Sequence, residues 1–394
     1  MNPLLLDTPS SEWNLPAAEP WREKQLREWI FQRFAPSFEG MSNLPGPLRA
    51  DLTARFRLAA VEPVKIQGSA DTTRKILWRL GDGSFLESVL IPANPGREGD
   101  RSGRLTLCVS SQVGCAYGCR FCASGLDGWR RNLTAAEIVG QVLGAAKIAG
   151  RRPDNLVFMG MGEPLANLPR LRTAMEILTS PEGVGIGARH LTVSTSGLAP
   201  QIEELAKVPG QFRLALSLHA GTNETRDKIM PVNRKYPLEK LMPACEAFAR
   251  AKRKMITFEY ILLKDLNDAP AEARAVVRHA RRLHAKVNLI PYNTVEGLPY
   301  ERPSEPAIRS FQKVFKDAGV EATVRREKGH DIDAACGQLR LREEKPDDLL
   351  NLCRSSIPCP PRRGYAGGWF SSRDREPPGC SEPSGSWPSS ESYG

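Results

Sequence analysis

A regular alternation of strand-like and helix-like segments, between about residues 104 and 342, constrains the fold of this chain more than any other feature. Short runs rich in β-branched and apolar residues, such as RLTLCVS and HLTVSTS, are each followed by a longer stretch with apolar residues at helical spacing. About six such units follow one another, and strands that alternate with helices pair in parallel. About six units are fewer than the eight of a closed barrel. We therefore predict an α/β fold, an open, partial TIM-type βα barrel.

The segments outside this alternation predict three smaller parts. Residues 1–70 are predicted to form a small helical accessory domain, because residues 19–34 carry apolar side chains at helical spacing and a basic opposite face. Residues 71–103 are predicted to form a β-hairpin extension, because a Gly-Asp-Gly turn separates two apolar runs. The barrel is predicted to span residues 104–342. Residues 343–394 are rich in Pro, Ser, Gly and Arg and predict a disordered, flexible tail.

The charge and the start of the chain argue against some classes of protein. The formal net charge of +10 is compatible with a polyanionic partner, nucleic acid above all, although an unevenly basic surface explains it nearly as well. No run of eighteen apolar residues occurs, and residues 1–16 lack the layout of a secretory signal. Nine cysteines, an odd number, argue against a disulfide scaffold. We therefore expect a cytoplasmic protein without a membrane role.

Three cysteines lie close together in SSQVGCAYGCRFCASG, directly after the first strand of the alternation: Cys115, Cys119 and Cys122. Three thiolates suit a cubane [4Fe-4S] cluster and leave one iron without a protein ligand, so that this iron can bind a substrate. A zinc site would use a fourth Cys or His, and none occurs nearby in the sequence. A zinc knob, or three unrelated cysteines, stays the alternative.

The spacing of these cysteines is the signature of radical S-adenosylmethionine (SAM) enzymes, and the segment closely resembles that superfamily. The resemblance implies that the open iron binds the amino and carboxylate groups of SAM. It also implies that one electron from the cluster then splits SAM to give a 5′-deoxyadenosyl radical.

Polar and glycine residues at successive strand ends support a cofactor site. They stand in MGMGEP, STSG, SLH and IPYN, each at the end of a predicted strand. Because barrels of this kind place their chemistry at the carboxyl ends of strands, we expect these residues to lie close together. Each of them alone could equally be an ordinary turn or capping residue. The predicted SAM-binding residues are Gly162, Glu163, Ser194, Ser217, Leu218, His219 and Asn293.

Two further cysteines stand outside the cluster motif, in contexts that suggest chemistry. Cys108 lies on the strand that leads into the cluster loop, and Cys336 lies in the polar segment KGHDIDAACGQLR. Because this segment has little core character, Cys336 is interpreted as a thiol presented to a site. Cys245 stands in a helical pattern and is interpreted as a core residue. The cysteines beyond residue 343 are interpreted as incidental thiols.

Five segments together give a more specific resemblance. TLCVSSQVGC, MGMGEPL, STSG, SLHA and DIDAACGQL resemble the rRNA and tRNA adenine-C2 methyltransferase family, over about residues 15–342. The resemblance implies methylation of C2 of one adenine in the peptidyl transferase region of 23S rRNA, and of the adenine 3′ of the anticodon in tRNAs. It also implies one [4Fe-4S] cluster, two SAM per turnover, an electron donor such as flavodoxin, a monomeric enzyme and an N-terminal domain that contacts RNA.

The chemistry of the target explains why two more thiols are needed. Adenine C2 is electron-poor and is not a nucleophile, so it cannot take a methyl group by polar displacement. By the resemblance, Cys336 first takes the methyl group as a thiolate, the radical removes a hydrogen from this S-methyl group, and the resulting carbon radical adds to C2. Cys108 then attacks the sulfur of Cys336, which releases the methylated RNA and leaves a transient disulfide. Glu87 matches the family's acceptor for the C2 proton, and Cys108 is the alternative base.

Two other functions stay open on the sequence alone. An adenine-C8 rRNA methyltransferase that confers antibiotic resistance shares the cluster, both thiols and the barrel. The match to the accessory domain and the SSQVGC context favour C2 over C8. A non-catalytic iron–sulfur RNA-binding protein is the alternative from another class, and it would need neither Cys108 nor Cys336.

Overall fold

Strands and helices alternate along the computed structural model, which describes residues 2–13, 15, 20–69, 72–93, 103–125, 128–295 and 297–325. The strands of these residues are β1 (Val61–Gly68), β2 (Arg74–Leu80), β3 (Phe85–Pro92), β4 (Leu105–Cys108), β5 (Gln112–Gly114), β6 (Trp129–Asn132), β7 (Asn155–Phe158), β8 (Leu191–Thr195), β9 (Arg213–Ser217), β10 (Thr257–Leu262), β11 (Lys286–Pro291) and β12 (Ala322–Val324). Their α-helices are α1 (Pro20–Phe31), α2 (Gly46–Arg55), α3 (Ala135–Ala149), α4 (Leu168–Thr179), α5 (Ala199–Lys207), α6 (Asn223–Ile229), α7 (Leu238–Lys252), α8 (Pro270–Leu283) and α9 (Glu305–Asp317).

Ten of the described strands form a single sheet in the order β1-β2-β3-β4-β7-β8-β9-β10-β11-β12. From β4 to β12 the neighbours are parallel, and each strand lies beside the next sheet strand along the chain, as in a βα barrel. β1 to β4 pair antiparallel, so a hairpin region precedes the parallel part. Within the described residues β1 and β12 are the two edges, and the sheet is open. The predicted partial barrel is thereby confirmed.

Helix α3 shows how the sequence specifies these elements locally. Its first turn is capped reciprocally: the Thr134 hydroxyl accepts from the Glu137 N–H at 3.2 Å, and the Glu137 carboxylate accepts from the Thr134 N–H at 2.9 Å. Gly150 ends the helix in the left-handed conformation, with a φ of 69°. A Cβ added at Gly144 would lie 2.6 Å from Cη2 of Trp78, so this glycine lets α3 pack directly on β2.

Two features of the fold depart from the sequence-based expectation. β1 falls within residues 1–70, for which a helical domain is predicted, yet the last helix of that region ends at Arg55. Most side chains of β1 are exposed on both faces, so the segment lacks the alternation that identifies a strand. β5 and β6 pair as a separate two-stranded sheet around the cluster motif, and both are too short to give a pattern.

Part of the predicted chain organisation falls outside the described residues. The predicted tail, residues 343–394, and Cys336 both lie beyond the last described residue, Arg325. The predicted domain boundaries at residues 70, 103 and 342 stay predictions. None of the described helices is long and apolar enough to cross a membrane.

Candidate cluster and cofactor site

The loop with the three predicted cluster cysteines leaves the sheet after β4 and is closed at its base by the hairpin of β5 and β6. Gly114 is required at this closure, because its φ is 73° and a Cβ there would lie 1.9 Å from the Gly128 carbonyl oxygen. The Cys115 N–H donates to that same oxygen at 2.9 Å. Farther along the loop, the Arg120 N–H donates to the Ile229 carbonyl at 2.9 Å. These bonds hold the loop at two points and fix where its thiols stand.

Cys115, Cys119 and Cys122 are half-buried, and each lies near enough to another to affect the pKa of its thiol. Burial raises the pKa of the Cys115 thiol to about 12, and the nearby Cys122 acts in the same direction. Burial also raises the pKa of Cys119, with further contributions from Cys122 and Cys115. Three thiolates this close together need a cationic partner, and bound iron supplies such a charge.

The donor set fits a cubane cluster. Within the described residues, no three His, Cys, Asp or Glu side chains converge on a point that could hold a single metal ion. The three protein ligands of a cubane bind three different irons, so their sulfur atoms need not converge on one point. Three thiols on one loop that is held by hydrogen bonds therefore fit a [4Fe-4S] cluster with one open iron.

Gly162 and Glu163 follow β7 and are fixed against the start of the cluster loop. Gly162 has a φ of 96°, and a Cβ there would lie 2.5 Å from Cβ of Gln112. The buried Glu163 carboxylate accepts from the Leu165 N–H at 3.0 Å and from the Ser196 N–H at 2.6 Å. Burial raises the pKa of Glu163, while these two N–H donors act to lower it. The carboxylate thus links the segments that follow β7 and β8.

A buried arginine, which is not among the predicted site residues, holds the ends of β8 and β9. The guanidinium of Arg226, on α6, is fully buried and donates to the carbonyls of Ser196 at 2.5 Å and Leu218 at 3.1 Å. It also donates to Oδ1 of Asn233 at 2.8 Å. Burial lowers the pKa of Arg226 to about 10, and the nearby Cys119 acts in the opposite direction. Arg226 therefore places a positive charge behind the strand ends, close to the cluster loop.

His219 connects the end of β9 to the cluster loop. It has a left-handed backbone, with a φ of 58°, and its Nδ1 accepts from the Ile261 N–H at 3.0 Å. Its ring meets that of Phe121 edge to face, with the centroids 4.9 Å apart. Burial, with a smaller contribution from Arg226, lowers the pKa of His219 to about 3, so the ring is neutral at physiological pH. His219 thereby positions the aromatic residue that precedes Cys122.

The remaining predicted cofactor residues lie at the same edge of the sheet. The hydroxyls of Ser194 and Ser217, on neighbouring strands, are 3.5 Å apart. Oδ1 of Asn293 is buried and makes no hydrogen bond within the described part of the chain. A buried polar atom without a partner is costly, so this oxygen fits a bound ligand that supplies the missing bond. The structure therefore brings the predicted SAM-binding residues to one edge beside the cluster loop.

Glu87 and Cys108, two of the three predicted catalytic residues, share a face of the sheet. Val89 pairs with Cys108 across β3 and β4, and Glu87, two residues from Val89, points to the same side. Glu87 is only 3% exposed, and its Oε2 lies 3.0 Å from Nζ of Lys75, which is fully buried. Lys75 is not among the predicted residues. Cys336, the third predicted catalytic residue, lies outside the described residues, so its position relative to Cys108 is not described.

Glu259, a buried carboxylate near the strand ends that carry the predicted SAM-binding residues, is not among the predicted site residues. Glu259, on β10, is 5% exposed and accepts from Nδ2 of Asn288 at 2.9 Å. Burial raises the pKa of its carboxyl group. Its backbone carbonyl accepts from the Leu218 N–H at 3.0 Å and from the His219 N–H at 3.3 Å. Glu259 thus orders the segment that follows β9, which contains two of the predicted SAM-binding residues, Leu218 and His219.

Comparisons with known proteins show which family the chain resembles. The family model of the Radical SAM superfamily matches residues 109–275. A protein of Akkermansia muciniphila named probable dual-specificity RNA methyltransferase RlmN is 57% identical over 325 residues, which cover 82% of this chain and 90% of the relative. Probable dual-specificity RNA methyltransferase RlmN 3 of Opitutus terrae is 49% identical, covering 85% of this chain and 92% of the relative. The crystal structure of a radical SAM methyltransferase from Sphaerobacter thermophilus is 42% identical, with a TM-score of 0.80 over 85% of this chain and 98% of that chain.

Proposed function

The chain belongs to the family of dual-specificity RNA methyltransferases within the radical SAM superfamily, and we propose that it methylates C2 of adenine in 23S rRNA and in tRNA. In this proposal the targets are one adenine of the peptidyl transferase region and the adenine 3′ of the anticodon. The observation that carries the proposal is the arrangement at the end of β4. A thiol, Cys108, immediately precedes the cluster loop and shares a sheet face with a buried carboxylate, Glu87.

The residues that would hold the two cofactors lie at the carboxyl ends of neighbouring strands. Cys115, Cys119 and Cys122 would hold the cluster, and SAM would be held by Gly162, Glu163, Ser194, Ser217, Leu218, His219 and Asn293. When bound, the cluster supplies the electron for reductive cleavage of SAM to a 5′-deoxyadenosyl radical. The neutral His219 ring keeps Phe121 in place next to Cys122. The buried Oδ1 of Asn293, which has no hydrogen-bond partner among the described residues, is available to the cofactor.

The two thiols divide the methyl transfer between them. Cys336 takes a methyl group from a first SAM by displacement, since a thiolate is a competent nucleophile. After a hydrogen atom is lost from this methyl group, the resulting carbon radical adds to C2 of adenine. The adduct then loses the C2 proton and one electron, which returns to the one-electron carrier, so that the RNA is left tethered to Cys336 through a methylene. Cys108 then attacks the sulfur of Cys336, the methylene takes up a proton, and a disulfide is left. Each turnover thus uses two SAM.

The C2 proton needs an acceptor, and we assign this role to Glu87. The carboxylate form accepts a proton, and the Lys75 ammonium at 3.0 Å supplies a countercharge for it in a buried position. Cys108, on the same face, is the alternative base. The proposal also includes a one-electron donor such as flavodoxin, a monomeric state and a cytoplasmic location, and the net charge of +10 suits an RNA substrate.

Anaerobic reconstitution with iron, sulfide, SAM and an rRNA or tRNA fragment tests the proposal, with the nucleosides then separated by mass spectrometry. We expect 2-methyladenosine. We expect Cys336→Ala to abolish methylation while the cluster absorbance remains, and Cys108→Ala to accumulate RNA joined covalently to the protein. Cys380→Ala, which removes a thiol of the predicted tail, is the matched control and should retain activity. 8-Methyladenosine would favour the C8 enzyme, and RNA binding without any methyladenosine would favour the non-catalytic protein.

A further inference from the structure

A cavity of about 350 Å³ lies beside the cluster loop and contains none of the residues assigned to the cluster or to SAM. Three segments form it: the cluster loop, the start of α5 and the turn that follows α6. All three come after the carboxyl ends of parallel strands, so the cavity is on the catalytic side of the sheet. The residues lining it are Ala116, Tyr117, Leu198, Gln201, Pro231, Val232, Lys235 and Tyr236.

The side chains of this cavity combine aromatic, cationic and hydrogen-bonding groups. Tyr117 and Tyr236 are half-buried, and Nζ of the exposed Lys235 lies 5.5 Å from the centre of the Tyr236 ring. Arg234, next in the chain, is also exposed. Oε1 of Gln201 is buried and accepts no hydrogen bond from the described residues. The cavity thus offers two tyrosine side chains, a positive charge and one buried acceptor that lacks a donor among the described residues.

The walls of the cavity are held in place before any ligand arrives. The Arg120 N–H bond to the Ile229 carbonyl, at 2.9 Å, ties the cluster loop to the end of α6. The turn beyond α6 is closed by the Tyr236 N–H bond to the Val232 carbonyl at 3.0 Å. Asn233, within this turn, accepts from the buried Arg226 at 2.8 Å. Such preorganisation lowers the ordering cost of binding.

We propose that this cavity binds an unpaired nucleotide of the RNA substrate next to the reactive adenosine, an inference that rests on the proposed function. Aromatic rings stack on a base without requiring one sequence, and Arg or Lys side chains meet the adjoining phosphates. The Gln201 acceptor suits an exocyclic amino group, which adenine, cytosine and guanine carry and uracil lacks. A volume of about 350 Å³ lies at the lower end of ordinary small-ligand sites, roughly 300–1,000 Å³. Specific RNA recognition targets splayed bases of this kind.

The test compares Tyr236→Ala and Lys235→Ala with the wild type, using the reconstituted enzyme and one RNA fragment. We expect Tyr236→Ala to raise both the Kd for RNA, measured by fluorescence anisotropy, and the KM for RNA by about 5- to 150-fold, the range for losing one stacked base. Tyr236→Phe keeps the ring and should keep the affinity. Lys235→Ala should reduce the salt slope of log K by about 0.7, the value for one phosphate of a single strand.

Lys207→Ala is the matched control, because Lys207 ends α5 at the edge of the sheet opposite the cavity and is exposed. It should leave the affinity and the salt slope unchanged. Unchanged Kd and KM in Tyr236→Ala would overturn the proposal. Loss of the RNA-independent methylation of Cys336 in Tyr236→Ala, measured by intact-protein mass spectrometry, would also overturn the proposal, because the cavity would then serve SAM. A wild type that makes no methyladenosine, yet loses RNA affinity on Tyr236→Ala, would refute the enzymatic function and leave the nucleotide site standing.

Discussion

Replacing Lys75 by methionine removes one charge from a buried ion pair beside the proposed proton acceptor. Nζ of Lys75 lies 3.0 Å from Oε2 of Glu87, and the two side chains are 0% and 3% exposed. At an effective dielectric constant of about 20, two unit charges at this separation attract by roughly 5.5 kcal/mol. Removing one partner of a buried pair typically costs about 3–5 kcal/mol, because the other charge stays in place without compensation. We expect Lys75→Met to lower the free energy of unfolding by about this amount.

The assay is urea denaturation of the cluster-free protein under anaerobic, reducing conditions, followed by circular dichroism. Lys75 and Glu87 each have interactions beyond this pair, so a double-mutant cycle is needed to isolate their mutual attraction. The cycle uses Lys75→Met, Glu87→Gln and the double variant. We expect the double variant to lower the free energy of unfolding by roughly 2 kcal/mol less than the two single variants do in sum. Costs that add to within about 0.5 kcal/mol would refute the inference that the two charges stabilise each other.

Two further predictions concern the strand ends. Glu163→Gln leaves one acceptor oxygen where the carboxylate has two, so one of the two N–H donors, Leu165 or Ser196, loses its bond. We expect the Kd for SAM to rise by about tenfold or more, with the cluster absorbance retained. An unchanged Kd in calorimetry would contradict the role of Glu163. His219 has a pKa of about 3 in the folded chain against 6.5 for an ordinary histidine, so the unfolded chain binds one more proton between these values. The contribution of His219 to stability is therefore present above about pH 6.5 and is lost as the pH falls toward 3. Between pH 7 and pH 5, urea titrations should show a larger decrease in the free energy of unfolding for the wild type than for His219→Asn.

The cysteine spacing and the strand-end motifs are predictable from sequence because they are local. Cys115, Cys119 and Cys122 form a compact pattern, and the chemistry of three thiolates leaves few alternatives. The partial barrel is predictable for a similar reason, since strands and helices alternate with contrasting periodicity from β4 to β12. Both inferences need only short stretches of chain.

The buried charges are not predictable, because their burial depends on elements far apart in the chain. In β2 the segment RKILWRL is buried on both faces over its centre, so nothing in the local pattern separates the buried Lys75 from the exposed Arg79. Arg226 stands among the polar residues of ETRDK, and its role becomes visible only when the carbonyls of Ser196 and Leu218 lie around it. The same limit applies to Glu259, on a strand whose pairing partners come from distant segments.

The cavity beside the cluster loop illustrates the same limit at the level of a site. Tyr117 stands inside the cluster motif, whereas Gln201 and Tyr236 come from segments beyond β8 and β9. Gln201 and Tyr236 have no sequence context that suggests ligand binding, and Tyr117 is not itself a cluster ligand. Only the parallel order of β4, β7, β8 and β9 brings their loops to one edge of the sheet.

The central claim, that a methyl group passes from SAM to adenine C2 through Cys336, is tested most directly with SAM that carries a trideuterated methyl group. In the proposed mechanism one deuterium is lost when the S-methyl group of Cys336 is activated, and one proton is gained when Cys108 releases the product. Mass spectrometry of the RNA nucleosides should therefore detect 2-methyladenosine with two deuterium atoms in its methyl group. 2-Methyladenosine with all three deuterium atoms, or a product methylated elsewhere than at C2, would contradict this account.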